Sequence, residues 1–190
     1  MKEGGIVMSD DVKRVVSLIL SDLRVELTDE FDKNFERQAF FTAAWQRRKS
    51  PIRKDRALLV DSGRLRQSLQ SRSTDDSITF FTTEGYAGIH NEGGEIQVTE
   101  RMKKFFWAKY YEASGSFGRR KDGSKREDRR TTLLTEEADF WKMMALMKVG
   151  RTIKIPRRRF LGTSPEVEKI VREAIERNLS EYFEHEFKIV

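Results

Sequence analysis

Tyr86-Ala87-Gly88-Ile89-His90-Asn91-Glu92-Gly93-Gly94 is the stretch on which the fold turns. It follows Ile78-Thr79-Phe80-Phe81-Thr82-Thr83, which is β-branched and aromatic throughout, the composition of a strand. It ends on two glycines, which reach backbone angles closed to other residues and let the chain turn sharply. The stretch therefore reads as a strand delivered into a polar corner. It also holds His90, one of two histidines in 190 residues, so any histidine chemistry has to start here. Two readings compete: a catalytic or metal-binding loop around His90, or a structural corner that shapes a surface for a protein partner.

Upstream, Asp61-Ser62-Gly63 is a turn signal. Leu65 and Leu69 lie four apart, as on a helical turn, while Leu65, Gln67 and Leu69 alternate as on a strand. The favoured reading is a short turn entering a strand to about Arg72, a hairpin turn over 73–76, and a return strand over 77–83. Nearer the N-terminus, Ser9 followed by Asp10 and Asp11 reads as a capped helix start. Val12, Val15, Val16, Ile19, Leu20, Leu23, Leu27, Phe31, Phe35 and Ala39 follow at helical spacing, as one helix or two joined near Thr28-Asp29. Phe40-Phe41 and Trp45 come next, and then residues 46–56, with six basic residues, one acid and a proline, read as an exposed loop.

Downstream, residues 95–98 suit a short strand. Thr99-Glu100 begins a helix with Met102, Phe105, Phe106, Ala108, Lys109 and Tyr110. Residues 114–130 are rich in Gly, Ser and charge and read as a long mobile loop. Thr135-Glu136-Glu137 opens a second helix with Phe140, Trp141, Met144, Leu146 and Met147 on its apolar side. Residues 100–149 thus form a helical hairpin with a disordered tip. Thr152-Ile153-Lys154-Ile155 alternates as an edge strand that Pro156 stops. The last helix starts with Ser164 as cap and Pro165 at its first position, or with Thr163 and Glu166 as a capping box. Val167, Ile170, Val171, Ala174, Ile175, Leu179, Tyr182 and Phe183 form its stripe.

The fold class expected is α+β: a small, mostly antiparallel sheet flanked by long N- and C-terminal helices, with an inserted helical hairpin and a mobile basic loop. Residues 1–8 are a disordered tail, or Met8 is an alternative start. Residues 9–190 form a single domain with the insertion at about 100–149.

The net charge is +6, and residues 119–130 supply +4 of it, so one segment makes the chain basic. With no cysteine, disulfides, thiolate catalysis and cysteine metal sites are excluded. No apolar run approaches the ~20 residues of a membrane helix, and the start lacks a signal-peptide core, so a soluble product that stays where it is made is expected. His90 and Glu92 are two apart but His185 is far along the chain, which argues against a metal site. Nothing in the spacing places Ser62 and Asp61 near His90, and no GxSxG, phosphate loop or dinucleotide fingerprint is present. Nucleic-acid binding is the stronger competitor, through basic loops and aromatics that stack bases, yet no helix-turn-helix, RNP or zinc-finger pattern occurs.

Three separated blocks carry a resemblance. They are Leu59-x-Asp61-Ser62-Gly63-Arg64-Leu65-Arg66-x-Ser68-Leu69, Tyr86-Ala87-x-Ile89-His90-x-x-Gly93-Gly94, and Ile155-Pro156-Arg157-x-x-Phe160-Leu161-Gly162, with Trp45 upstream. In order and spacing they resemble the phage virion morphogenesis family, the Mu-like tail completion and head–tail joining proteins. Ser62 stands where the family usually has Thr, Asn91-Glu92 replaces Gln and an apolar or aromatic residue, and Arg159 stands where Pro is frequent. The resemblance implies a structural subunit of the virion, made in the bacterial host cytoplasm, with no catalytic residue, metal or cofactor to transfer. Its partners would be other tail or head–tail connector proteins, with self-association into a ring, no membrane, and no nucleic acid as primary partner. The basic loops, through Arg47, Arg48 and Lys49 and through Arg119, Arg120, Lys121, Arg126, Arg129 and Arg130, would then meet the acidic last helix of a neighbouring copy.

Overall fold

The computed structural model describes residues 10–53, 56–115, 120–124, 126 and 128–187. The chain divides into two compact units. One comprises Met1–Trp45, Leu59–Ala87 and Arg158–Val190, the other Gln46–Leu58 and Gly88–Arg157. The second is wider than a 100–149 insertion, since it takes in the 46–58 loop and both strands that flank the hairpin. The 1–8 tail and the Ser9 cap lie outside the described residues.

In the first unit, acids at the start and an unbroken apolar stripe give one helix, α1 (Asp10–Arg37). Thr28 does not break it, because its hydroxyl donates back to the Arg24 carbonyl at 2.6 Å. Val15, Leu23, Leu27, Phe31 and Phe35 are its buried face. Gln38, at φ 56°, ends the helix. Ala39, which the spacing places on the helix, instead starts a two-residue strand, β1 (Ala39–Phe40), paired with β2 (Ala43–Ala44).

Where Asp61-Ser62-Gly63 predicts a turn straight into a strand, one helical turn intervenes, α2 (Arg64–Gln67). Gly63, at φ 75°, opens it, and Leu65 enters the core. The hairpin then follows its expected course. β3 (Leu69–Ser73) pairs antiparallel with β4 (Ile78–Thr82), Leu69 opposite Thr82 and Ser73 opposite Ile78. Phe80 meets the edge of Phe31 at 5.1 Å, while Phe81, on the other face, lies under the Arg72 guanidinium at 5.9 Å. The last helix, α6 (Pro165–Phe187), starts with Ser164 as cap, its hydroxyl accepting from Val167 N at 3.3 Å. It packs on α1. Leu23, Leu27, Phe31, Phe40, Val167 and Ala174 form the buried centre, with Phe80, Ile78 and Leu69 of the hairpin against it. Beyond Ala174 the α6 stripe surfaces: Ile175, Leu179 and Phe183 are exposed.

In the second unit, the corner predicted from Gly93-Gly94 is preceded by a helix, α3 (Ala87–Glu92), whose first residue closes the first unit. Six residues are too few for a helical period to show in sequence. Gly93, at φ 74°, ends it, and Gly94 begins β5 (Gly94–Gln97). β5 pairs antiparallel with β6 (Thr152–Ile155), Gly94 opposite Ile155 and Gln97 opposite Thr152. This ribbon closes the base of a helical hairpin, α4 (Glu100–Gly115) and α5 (Arg129–Ala145). Phe106 stacks on Trp141 at 5.8 Å between them, and Phe105 meets the same indole edge-on. α5 starts six residues before Thr135, because Asp128 caps it by accepting from Thr131 N at 2.7 Å. The Thr135 hydroxyl donates to the Thr131 carbonyl within the helix. Residues 114–115 and 129–130 are therefore helical, not loop. Residues 116–119, 125 and 127 of the expected mobile tip lie outside the described residues.

The class is α+β with antiparallel strands and long terminal helices. Among the described residues the strands form three separate two-stranded ribbons in place of one small sheet.

Candidate functional site

The Phe160–Gly162 end of the third block and Trp45 meet around α1. Asn34 is fully buried; its side-chain oxygen accepts from Phe41 N at 2.8 Å and its Nδ2 donates to the Phe160 carbonyl at 3.4 Å. Phe160, 1% exposed, lies against the Phe35 ring at 5.3 Å. Trp45 meets the same ring edge-on at 5.7 Å, and its indole N–H donates to the Arg159 carbonyl at 2.6 Å. Two aromatic blocks far apart in sequence are thereby bonded to one helix. Arg159, where the family often has proline, puts its guanidinium 4.7 Å over Phe40 and donates from Nε to the Leu161 carbonyl at 3.3 Å. Leu161 is half-buried against the core, and Gly162, at φ 134°, faces the Arg159 head.

The first block is fixed by charge as well as by Leu65. Arg66 forks onto α1: Nε donates to Asp32 at 2.5 Å, and Nη2 bonds the other Asp32 oxygen and Glu36 at 2.6 Å. Hydrogen bonds to Asp32 and then to Glu36 push the guanidinium pKa further up. Arg64 pairs with Glu84 at 3.0 Å. Ser68 is buried; its hydroxyl donates to the Leu65 carbonyl at 2.8 Å and lies 2.6 Å from the Thr82 hydroxyl. Gly63 and Leu65 set α2 in place. Arg66 and Asn34 are the residues that motif reading passes over. Arg66 does sit inside the block, and Asp32 and Glu36, four apart on α1, are the sequence signal for its fork.

The middle block divides between the units. Tyr86 is 43% exposed, while Ala87, 2% exposed, takes the inward position at the start of α3. Burial, then the charge of Glu84, pushes the Tyr86 phenol up from its ordinary pKa. His90 is half-buried on α3, with Nδ1 shielded from solvent. A Cβ on Gly93 would stand 2.9 Å from Arg157 N, so glycine is required both by contact and by φ. One on Gly94 would stand 3.3 Å from the Ile89 side chain. Half-buried Pro156 leads from β6 to Arg157, whose Nη2 lies 3.4 Å from Glu92 Oε2. Among the described residues no group of three or more His, Asp or Glu is placed to hold a metal ion, and no helix is long and apolar enough to cross a membrane.

The basic residues differ in what they do. Arg48 donates to the carbonyls of Ile52 at 3.3 Å, Arg56 at 3.4 Å and Ala57 at 3.1 Å, so it folds its own loop. Arg47 and Lys49 are exposed. Arg120, Lys121, Arg126, Arg129 and Arg130 are exposed at the tip end of the α4–α5 hairpin; Arg119 lies outside the described residues. Counted by unit, the second holds 22 Lys and Arg against 11 Asp and Glu, a net +11. The first holds 15 against 20, a net −5. The +2 that remains outside 119–130 thus conceals two units of opposite sign.

The model of the phage virion morphogenesis family matches residues 11–180. Neither the curated proteins nor the solved structures yield a match. The match spans nearly the whole chain, which belongs to this family. Its role is in building the phage virion, a structural role, with other phage structural proteins as its partners.

Proposed function

We propose that this family member acts in tail completion or head–tail joining, through subunit–subunit contacts and without chemistry of its own. The observation that carries the reading is the opposite charge of its two units, −5 and +11. A head-to-tail contact between identical subunits joins two different patches, and two patches of opposite sign attract in one register only. The basic loop at 46–56 and the hairpin tip meet the acidic face of α6 on the next copy, where Glu168, Glu173, Glu176, Glu181 and Glu184 are displayed. Repeated around an axis, this contact closes a ring.

Reversal at Arg47 and Lys49, to Glu, tests the contact while leaving Arg48 to fold its loop. Self-association measured by sedimentation should weaken, and its sensitivity to salt should fall. Association and salt response equal to those of the parent chain would remove the charge pairing. Virions assembled without the protein should show tails separate from heads by negative stain, and intact particles would remove the junction role.

A further inference from the structure

We propose that α4 carries a surface for single-stranded nucleic acid, a binding function beyond the junction role and independent of it. Trp107 and Tyr111, one helical turn apart, stack at 5.9 Å with their ring planes 27° apart. Tyr110 meets Trp107 edge-on at 5.7 Å and lies 5.3 Å from Tyr111. The buried residues of the helix, Phe106 and Ala113, lie on another face from Trp107 and Tyr111, with Tyr110 at the border between the two. Tyr111 is 66% exposed, and Trp107 and Tyr110 are half-buried. Lys103 and Lys104 stand one turn before Trp107 on the same side, with Glu100 one turn earlier.

Charge and composition together choose the occupant. The unit that bears this row has twice as many basic as acidic residues, the electrostatic footprint of a polyanion site. Protein–protein interfaces favour Trp and Tyr but are depleted in lysine, so two lysines beside the row fit phosphates better than an apolar protein patch. Bases offer a flat π-face whatever their sequence, and a row of solvent-reached aromatic rings beside cationic side chains receives them. A duplex keeps those faces covered, so the aromatics select the single strand.

The test is fluorescence anisotropy of a labelled oligo(dT) with the full chain. Binding at low salt that weakens steadily as salt rises is expected. Trp107→Ala and Tyr111→Ala should each weaken it roughly tenfold, while Trp107→Phe, which keeps a ring, should retain most of it. Replacing Lys103 and Lys104 by Gln should lower the salt slope by about one per lysine. Circular dichroism checks that each variant folds, and Tyr111→Ala, at an exposed site, keeps the test sound if Trp107→Ala does not. The proposal is overturned by absence of binding at low salt, by aromatic variants that bind as the parent does, by preference for duplex, or by binding of poly-glutamate in place of oligo(dT). None of those results touches head–tail separation, the readout of the junction role.

Discussion

The two units of this protein handle polar groups in opposite ways. In the first, charges meet one another at short range: Arg66 with Asp32 and Glu36, Arg64 with Glu84, Arg177 with Glu26. Its buried amide, Asn34, has both ends bonded, and its aromatics close on one another. The second carries an excess of cations, +11 against −5, while large apolar side chains are exposed in both units, Val25 and Phe183 in the first and Tyr111 and Leu146 in the second. A region whose groups are mutually satisfied holds a shape. A region with a large excess of one charge is built to meet something else. The family blocks Leu59–Leu69 and Phe160–Gly162 lie in the first region together with the acidic face of α6, and the basic surfaces lie in the second.

That contrast can be broken by truncation. Phe160→Ala, in the first unit, should cost about 3–5 kcal/mol, whereas Tyr111→Ala, in the second, should cost about 0.5 kcal/mol or less. Urea denaturation measures both, and similar losses would erase the distinction. A second experiment sharpens it by finding rigidity inside the second unit. Gly93→Ala forces a Cβ against Arg157 N at a positive φ and should cost roughly 1–3 kcal/mol. Gly88→Ala, where an added Cβ meets nothing within 4 Å on α3, should be neutral or stabilising. Equal effects at both glycines would mean that Gly93 is not under constraint. The smallest effect is at a border. Trp45→Phe keeps the ring contact with Phe35 but leaves the Arg159 carbonyl without the indole N–H, for about 1 kcal/mol. Arg47→Gln, two residues on and exposed, should leave the denaturation midpoint unchanged.

The parts legible in the sequence are those with a repeating pattern. The stripes of α1 and α6, the alternation of β6 and the hairpin turn between β3 and β4 each span enough residues to show a period. α2, α3 and the strands of the β1–β2 ribbon each span fewer than two periods, and neighbouring contacts decide them. The start of α5 was hidden because its cap, Asp128, sits in a run of charge that reads as loop. In the candidate site the blocks themselves are legible, but their partners are not. Asn34 reaches Phe160 across 126 residues, and no local pattern announces that bond. Charge summed along the chain likewise cannot show its division between units, since residues 46–58 join 88–157 only in three dimensions.

The boundaries of the units have a consequence for how such a chain can vary. It passes between them after Trp45, Leu58, Ala87 and Arg157, next to or within the family blocks. Among the described residues, the buried centre built on α1 and α6 draws none from 46–58 or 88–157. Outside the family blocks, those two stretches can therefore change length and sequence while the centre keeps its composition. The blocks act as fixed fittings for what is mounted at 46–58 and 95–154.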